Sequence, residues 1–348
     1  MYVSVDSDGR EIDGTDVLRN TIEEAVLADE IGIDSFNIGE HYREGFMDSA
    51  GAVMLAAIAS RTERIRLGTA VTVLSTQDPV RLYAEFATLD AISNGRAQIA
   101  LGRGSLTDSF PLFGFDLADY ETLFEEKLDL FTRLVRNQPA TWSGTVRSAL
   151  HNQRVMPPLP VGHLPTWVAV GGSPQSVIRA ARYGLPLILA IIGGDPARYL
   201  PYVDLYHRAL AEFGHAPQPV GMHSHGYIAR TDQEARDIQF PHLTTMYESD
   251  KRRGGSPSFA HFENEIANGS LYVGSPETVA TKLATNIRVL GLRRFDLAYA
   301  LGPIPHEQRM ATIELFGREV IPRVRELLRA ASAGTAAAAP VLAVGASA

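Results

Sequence analysis

The sequence predicts an α/β chain folded as a single (β/α)8 barrel with insertions at its C-terminal mouth. Three observations predict it. Short apolar runs alternate with longer amphipathic ones along most of the 348 residues. The alternation repeats about eight times in roughly 330 residues, which suits a closed barrel better than an open doubly wound sheet. One run, Leu185 to Ile192 (LPLILAII), is almost continuously apolar, as a strand covered on both faces should be.

Each element has a local reason. Tyr2 to Val5 reads as a short first strand. Between Asp16 and Ile31 the apolar residues Val17, Leu18, Ile22, Ala25 and Val26 fall at helical spacing, and Gly32 stands where a helix ends. Ile33 to Ile38 is a strand and Asp48 to Ser60 an Ala- and Leu-rich helix. Ile65 to Leu74 (IRLGTAVTVL), β-branched and free of proline, is the best strand in the chain. Pro79 to Ile92 is a helix with proline in its tolerated first turn. Ala97 to Leu101 is a strand, and Asp119 to Arg136 a long amphipathic helix. The rhythm then repeats: strand Trp167 to Val170, helix Pro174 to Tyr183, strand Leu185 to Ile192, helix Pro196 to Phe213, strand Val220 to Ala229. Helix Pro276 to Leu290, strand Phe295 to Leu301 and helix His306 to Leu328 complete it. Residues 138–165, with five prolines, and the polar stretch 251–270 interrupt the period and read as insertions shaping a pocket. Residues 1–329 are expected to form one domain, and the Ala-rich stretch 330–348 a flexible tail outside the core.

Composition narrows the function. Forty acidic against thirty-two basic residues give a net charge of −8, which disfavours nucleic acid and anionic membranes as partners. There is no cysteine, so thiolate metal sites, disulfides and cysteine nucleophiles are excluded. No apolar run reaches the ~18 residues of a membrane span, and the first residues lack the basic flank and apolar core of a secretory signal. A cytoplasmic protein is expected.

Catalytic groups of a parallel barrel lie at the C-terminal ends of strands. After the second strand stand Glu40 and His41, a carboxylate that could orient a ligand and an imidazole that exchanges protons near neutral pH; a polar strand-end turn is the plainer alternative. After the fourth come Gly102, Arg103 and Gly104, where glycines admit a close ligand and the guanidinium reaches an anion. Thr107 stands where a dinucleotide fingerprint needs its third glycine. After the fifth, Gly171, Gly172, Ser173 and Ser176 open a helix in the manner of a phosphate cradle, or simply cap it. On the seventh strand His223 and His225 share one face, either as pocket lining or as two ligands of a metal hydrolase. Pocket lining is the preferred reading, with no metal.

Four segments in order, ADEIGIDSFNIGEHY (28–42), the stretch 65–105, the stretch 165–192 and YVGSPETVATKL (272–283), resemble the luciferase-like flavin monooxygenases across roughly residues 15–329. The resemblance implies a closed barrel. It implies His41 as the catalytic histidine, a non-prolyl cis peptide at Ala70–Val71 beneath a flavin ring, and Arg103, Gly172, Ser173 and Ser176 around its phosphate. Tyr42 replaces the family's second histidine, and the first strand is shortened. The activity implied is oxygenation of a small organic substrate by O2 and reduced FMN, delivered by a separate flavin reductase. A deazaflavin-dependent oxidoreductase is the alternative on the same fold, and a homo-oligomer is expected.

Overall fold

The fold was analysed in a computed structural model that describes residues 10–160, 164–249, 255–333 and 343–347. Its strands are β1 (Ser35–Ile38), β2 (Arg66–Thr69), β3 (Thr72–Val73), β4 (Ile99–Gly102), β5 (Ala140–Trp142), β6 (Leu150–Gln153), β7 (Thr166–Val170), β8 (Leu187–Ala190), β9 (Val220–Ile228), β10 (Tyr272–Gly274), β11 (Arg294–Ala298) and β12 (Ala343–Ser347). Around them run α1 (Gly14–Glu30), α2 (Gly51–Ala59), α3 (Pro79–Ile92), α4 (Ser109–Leu112), α5 (Tyr120–Arg136), α6 (Pro174–Arg182), α7 (Leu200–Glu212), α8 (Asp232–Ser249), α9 (Phe259–Ala267), α10 (Pro276–Leu290), α11 (His306–Leu315) and α12 (Ile321–Ala333).

Nine parallel strands follow one another in the order β2-β1-β12-β11-β9-β8-β7-β4-β3 to form a nearly closed barrel. The run 65–74, expected to be one strand, is divided at Ala70–Val71, whose peptide bond is cis. β2 and β3 nevertheless run beside the same chain: Leu67 bridges Ala97, and Thr72 pairs with Leu101. Counted as one stave they make a ring of eight. Alternation turns Phe36, Leu67, Leu101, Val168 and Leu189, all fully buried, toward the helices, which close over the outer face with Leu55, Phe86, Phe131 and Leu283. Asn37, Gln98 and Arg294, linked by hydrogen bonds, face the interior. Local chemistry starts the helices where expected: Asp78 accepts from the amides of Val80 and Arg81 ahead of Pro79, and Ser275 caps α10 ahead of Pro276.

Two further expectations, about the end of the chain and its last helix, need correction, and one lies outside the described residues. The stretch 330–348 is not all tail. Residues 330–333 complete α12, and β12 inserts between β1 and β11, pairing Gly345 with both Ser35 and Asp296. Small residues are what the slot admits: a Cβ on Gly345 would stand 2.0 Å from Ser35 Oγ. The expected helix of 306–328 is interrupted by a π turn at Phe316–Val320 and continues to Ala333. The expected strand at 2–5 lies outside the described residues.

The polar stretch 251–270, expected to be an insertion, contains α9 among its described residues; with α8 before it and β10 after it, α9 buries a satellite cluster including Phe262, Met246 and Val273. The segment between β9 and α10 stands at the C-terminal end of β9, at the mouth. Residues 138–160 lie between α5 and β7 and hold the antiparallel β5–β6 hairpin, which packs along α3 and α5: Arg147 pairs with Asp78 at the start of α3, and Thr145 donates to Glu126.

Candidate functional site at the barrel mouth

A cavity of about 390 Å³ opens at the C-terminal ends of the strands. It exists because the chain places small side chains where a packed barrel would put large ones: Ala70, Ala100, Ala169, Ala190, Ala298 and Ala300 all line it. The remaining wall is largely apolar, with Phe46, Ile188, Ile192, Leu243, Met246 and Leu301. α8 contributes three of the lining residues, Leu243, Met246 and Tyr247. Six residues singled out from the sequence meet here: Glu40, His41, Ala70, Val71, His223 and His225.

His41 follows β1, its ring stacked on Phe46 at 4.3 Å between centroids. Its Nδ1 lies 2.9 Å from Oδ2 of Asp48, a carboxylate with no exposed side-chain surface. Burial works to raise the Asp48 carboxyl, yet it is held below the usual value, with the hydrogen bond and charge of His41 among the groups that favour the carboxylate.

Glu40 lines the cavity, but its oxygens are taken by protein donors. Oε2 accepts from the Val73 amide at 2.8 Å; Oε1 accepts from the Tyr42 hydroxyl at 2.6 Å and Gln77 Nε2 at 2.7 Å. Gln77 Nε2 also donates to the Tyr42 oxygen at 3.1 Å. Burial pushes the Glu40 carboxyl up, and these hydrogen bonds only partly oppose it. The group therefore brackets the end of β1 to β3, across the Ala70–Val71 peptide.

His223 and His225 project from β9 with ring centroids 6.0 Å apart. The buried Nδ1 of His223 has no hydrogen-bond partner. Burial pulls the His223 imidazole down, which favours the neutral ring; Asp296 opposes this and Arg294 adds to it. Among the described residues no group of three or more His, Cys, Asp or Glu could hold a metal ion.

The second group of candidates lies outside the cavity lining, at the ends of the paired strands β4 and β7. Ser173 caps α6, its Oγ accepting from the Ser176 amide at 3.4 Å and donating to Gln175 Oε1 at 2.9 Å. Gly172 has φ +115°, a conformation that favours glycine, and nothing lies within 4 Å of where a Cβ on Gly171 would point. Arg103 is not free to act alone: it is paired with Glu121 and lies over the Tyr120 ring. Glu121 also accepts from Arg179 Nη2 at 2.8 Å, and Glu125 pairs with Arg179 Nε. Two buried atoms of this cluster have no partner, Ser176 Oγ and Arg179 Nη1. Arg179 was detectable in the sequence as the residue one helical turn after Ser176. Tyr42 and Gln77 were not, because their role depends on where Glu40 lands. Nor was Asp48, which reaches His41 only through the loop between them.

A parallel barrel with an apolar mouth cavity, a histidine at its rim and an unfilled cluster of donors at a neighbouring helix start defines an enzyme-like ligand site. The family model for luciferase-like monooxygenases matches residues 1–294, and the chain belongs to that family. The alkanal monooxygenase alpha chain of Photorhabdus luminescens is 25% identical, over 90% of this chain and 93% of its own. The oxygenating constituent of 3,6-diketocamphane monooxygenase of Pseudomonas putida, solved in complex with FMN, superposes with a TM-score of 0.74 at 20% identity, over 93% and 99% of the two chains. The coenzyme F420 dependent tetrahydromethanopterin reductase of Methanopyrus kandleri gives 0.64 at 18%, over 90% and 96%. No helix among the described residues is long and apolar enough to cross a membrane.

Proposed function

We propose that this protein is an FMN-dependent monooxygenase that oxidises a small, largely apolar organic substrate with O2, using reduced flavin from a separate reductase. The observation that carries the reading is the pair of unpartnered buried donors, Ser176 Oγ and Arg179 Nη1, close in sequence to Gly171, where nothing lies within 4 Å of a Cβ. Donors left without acceptors at a helix start suit a phosphate, and the Ala-lined cavity next to them suits a flat ring. Arg103, Gly171, Gly172, Ser173, Ser176 and Arg179 would hold the phosphate, with Ala70 and Val71 against the ring.

Bound reduced flavin would supply the electrons that activate dioxygen. The chain's own contribution is separate from that chemistry. The apolar wall excludes water, the Glu40 bracket fixes the strand ends against which the ring lies, and His41 exchanges a proton at the rim. His223 and His225 face the substrate side of the cavity.

The deazaflavin reading draws support from the F420-dependent neighbour. Titration with oxidised and reduced FMN, and with F420, tests the choice through absorbance and the mass of the retained cofactor. Arg103→Ala is expected to weaken FMN about tenfold or more through loss of a charge-assisted contact. Unchanged affinity would remove Arg103 from the phosphate site, and preferential uptake of F420 would overturn the FMN assignment.

A further inference from the structure

Asp48 belongs to none of the strand-end motifs, yet it is the most deeply buried carboxylate at the mouth. Its side chain has no exposed surface, while that of His41 is 30% exposed toward the cavity. The contact at 2.9 Å joins one carboxylate oxygen to Nδ1. An ionised carboxylate can only accept, so Nδ1 must carry the hydrogen. The neutral imidazole then has its lone pair on Nε2, the nitrogen Asp48 does not occupy. Phe46 stacks on the ring and restricts its rotation.

The backbone is built around this pair. A Cβ on Gly39 would lie 2.9 Å from Asp48 Oδ2, 3.0 Å from His41 Cε1 and 3.3 Å from His41 Nδ1. Gly39 has no positive φ that would call for glycine. Its lack of a side chain is accounted for by the space that the carboxylate and the imidazole occupy together.

We propose that Asp48 is the positioning residue of His41, fixing it as the Nδ1–H tautomer so that Nε2 is presented to the mouth cavity as a proton acceptor. The role of that proton exchange in oxygenation rests on the function proposed above; the tautomer does not. When Nε2 accepts a proton, a new N–H bond forms there, the donor's bond to hydrogen breaks, and the imidazolium stays paired with the carboxylate. A carboxylate in this position orients the ring and stabilises its charged form without being protonated itself.

The test is nitrogen NMR of the histidine-labelled full-length chain, free of any cofactor, at a pH where His41 is neutral. The wild-type ring is expected as the Nδ1–H tautomer. In Asp48→Asn the amide can donate as well as accept, so the Nε2–H form should rise at least several-fold. Gly39→Ala, which crowds the pair, should shift the tautomer in the same direction. A wild-type ring in the Nε2–H form, or a tautomer ratio unchanged in Asp48→Asn, overturns the proposal. If Asp48→Asn does not fold, the wild-type spectrum alone decides. With reduced FMN bound, Asp48→Asn should slow turnover at least ~10-fold while FMN affinity stays within a few-fold. Unchanged turnover in a variant with an altered tautomer also overturns the positioning role. A wild-type chain that takes up no FMN, with a His41 ring that still responds to Asp48→Asn, refutes the flavin reading while supporting the pair.

Discussion

Two polar clusters at the mouth differ in how completely they are satisfied. Around Glu40 every contact closes on the protein: an amide, a hydroxyl and a carboxamide fill the two carboxylate oxygens. Around α6 the acidic partners, Glu121 and Glu125, take up part of Arg103 and Arg179, and Ser176 Oγ and Arg179 Nη1 remain unmatched. A closed network holds a shape, because removing any member strands the others. An open one pays a desolvation cost that a ligand can recover. The difference separates residues whose contacts are complete within the chain from residues that keep unmatched donors, although both sets follow strand ends in the sequence.

The most severe disruption should come from loss of β12, the stave between β1 and β11. Deleting residues 343–348 removes the shared neighbour of β1 and β11 and opens two strand edges. Melting should fall by roughly 10 °C or more. Amide exchange should accelerate first at β1, next to Glu40, while β4 and β7 beside the α6 cluster stay protected. Uniform loss of protection would break the comparison. Next in size, Glu40→Ala strands the Val73 amide, Gln77 and Tyr42, and should cost on the order of 3 kcal/mol in denaturant unfolding. Ser176→Ala should have the opposite profile, with stability within about 0.5 kcal/mol of wild type and FMN affinity reduced several-fold. A Ser176→Ala variant as unstable as Glu40→Ala would show that the α6 cluster is structural too.

His41→Ala tests the rim between the clusters. FMN affinity should stay within a few-fold while oxidation of bound reduced FMN changes by ~10²-fold or more, measured by stopped flow. Parallel loss of stability and FMN binding, with no specific effect on rate, would make His41 a packing residue. The smallest effect concerns pH. Because burial raises the Glu40 carboxyl, the folded chain holds that proton more tightly than the unfolded one. Glu40 therefore contributes stability below the ordinary carboxylate range and loses it as pH rises through its raised value. Glu40→Gln should flatten that part of the stability profile, and an unaltered profile would place the group in water.

Much of the barrel was legible because strand and helix periods are local properties. The eightfold alternation, the Pro-led starts of α3, α6 and α10 and the apolar run of β8 need only neighbours in sequence. The strand-end positions of His41, Arg103 and Ser173 followed from that period, as did the shared face of His223 and His225 on β9. α8 escaped because Pro241 lies inside it and its apolar residues serve both the satellite cluster and the cavity. The sequence by itself determined a parallel α/β barrel and the strand ends that carry its polar residues. Only the tertiary structure decided that an Ala- and Gly-rich end of the chain would be a stave, since it fills a gap between β11 and β1, a strand about 300 residues earlier in the chain. Only it decided that Glu40 is closed on Val73, that Asp48 stands behind His41, and that Ser176 and Arg179 are left open. Hydrogen-bond satisfaction is settled by which donors and acceptors the fold brings within about 3 Å, and no residue carries that information alone.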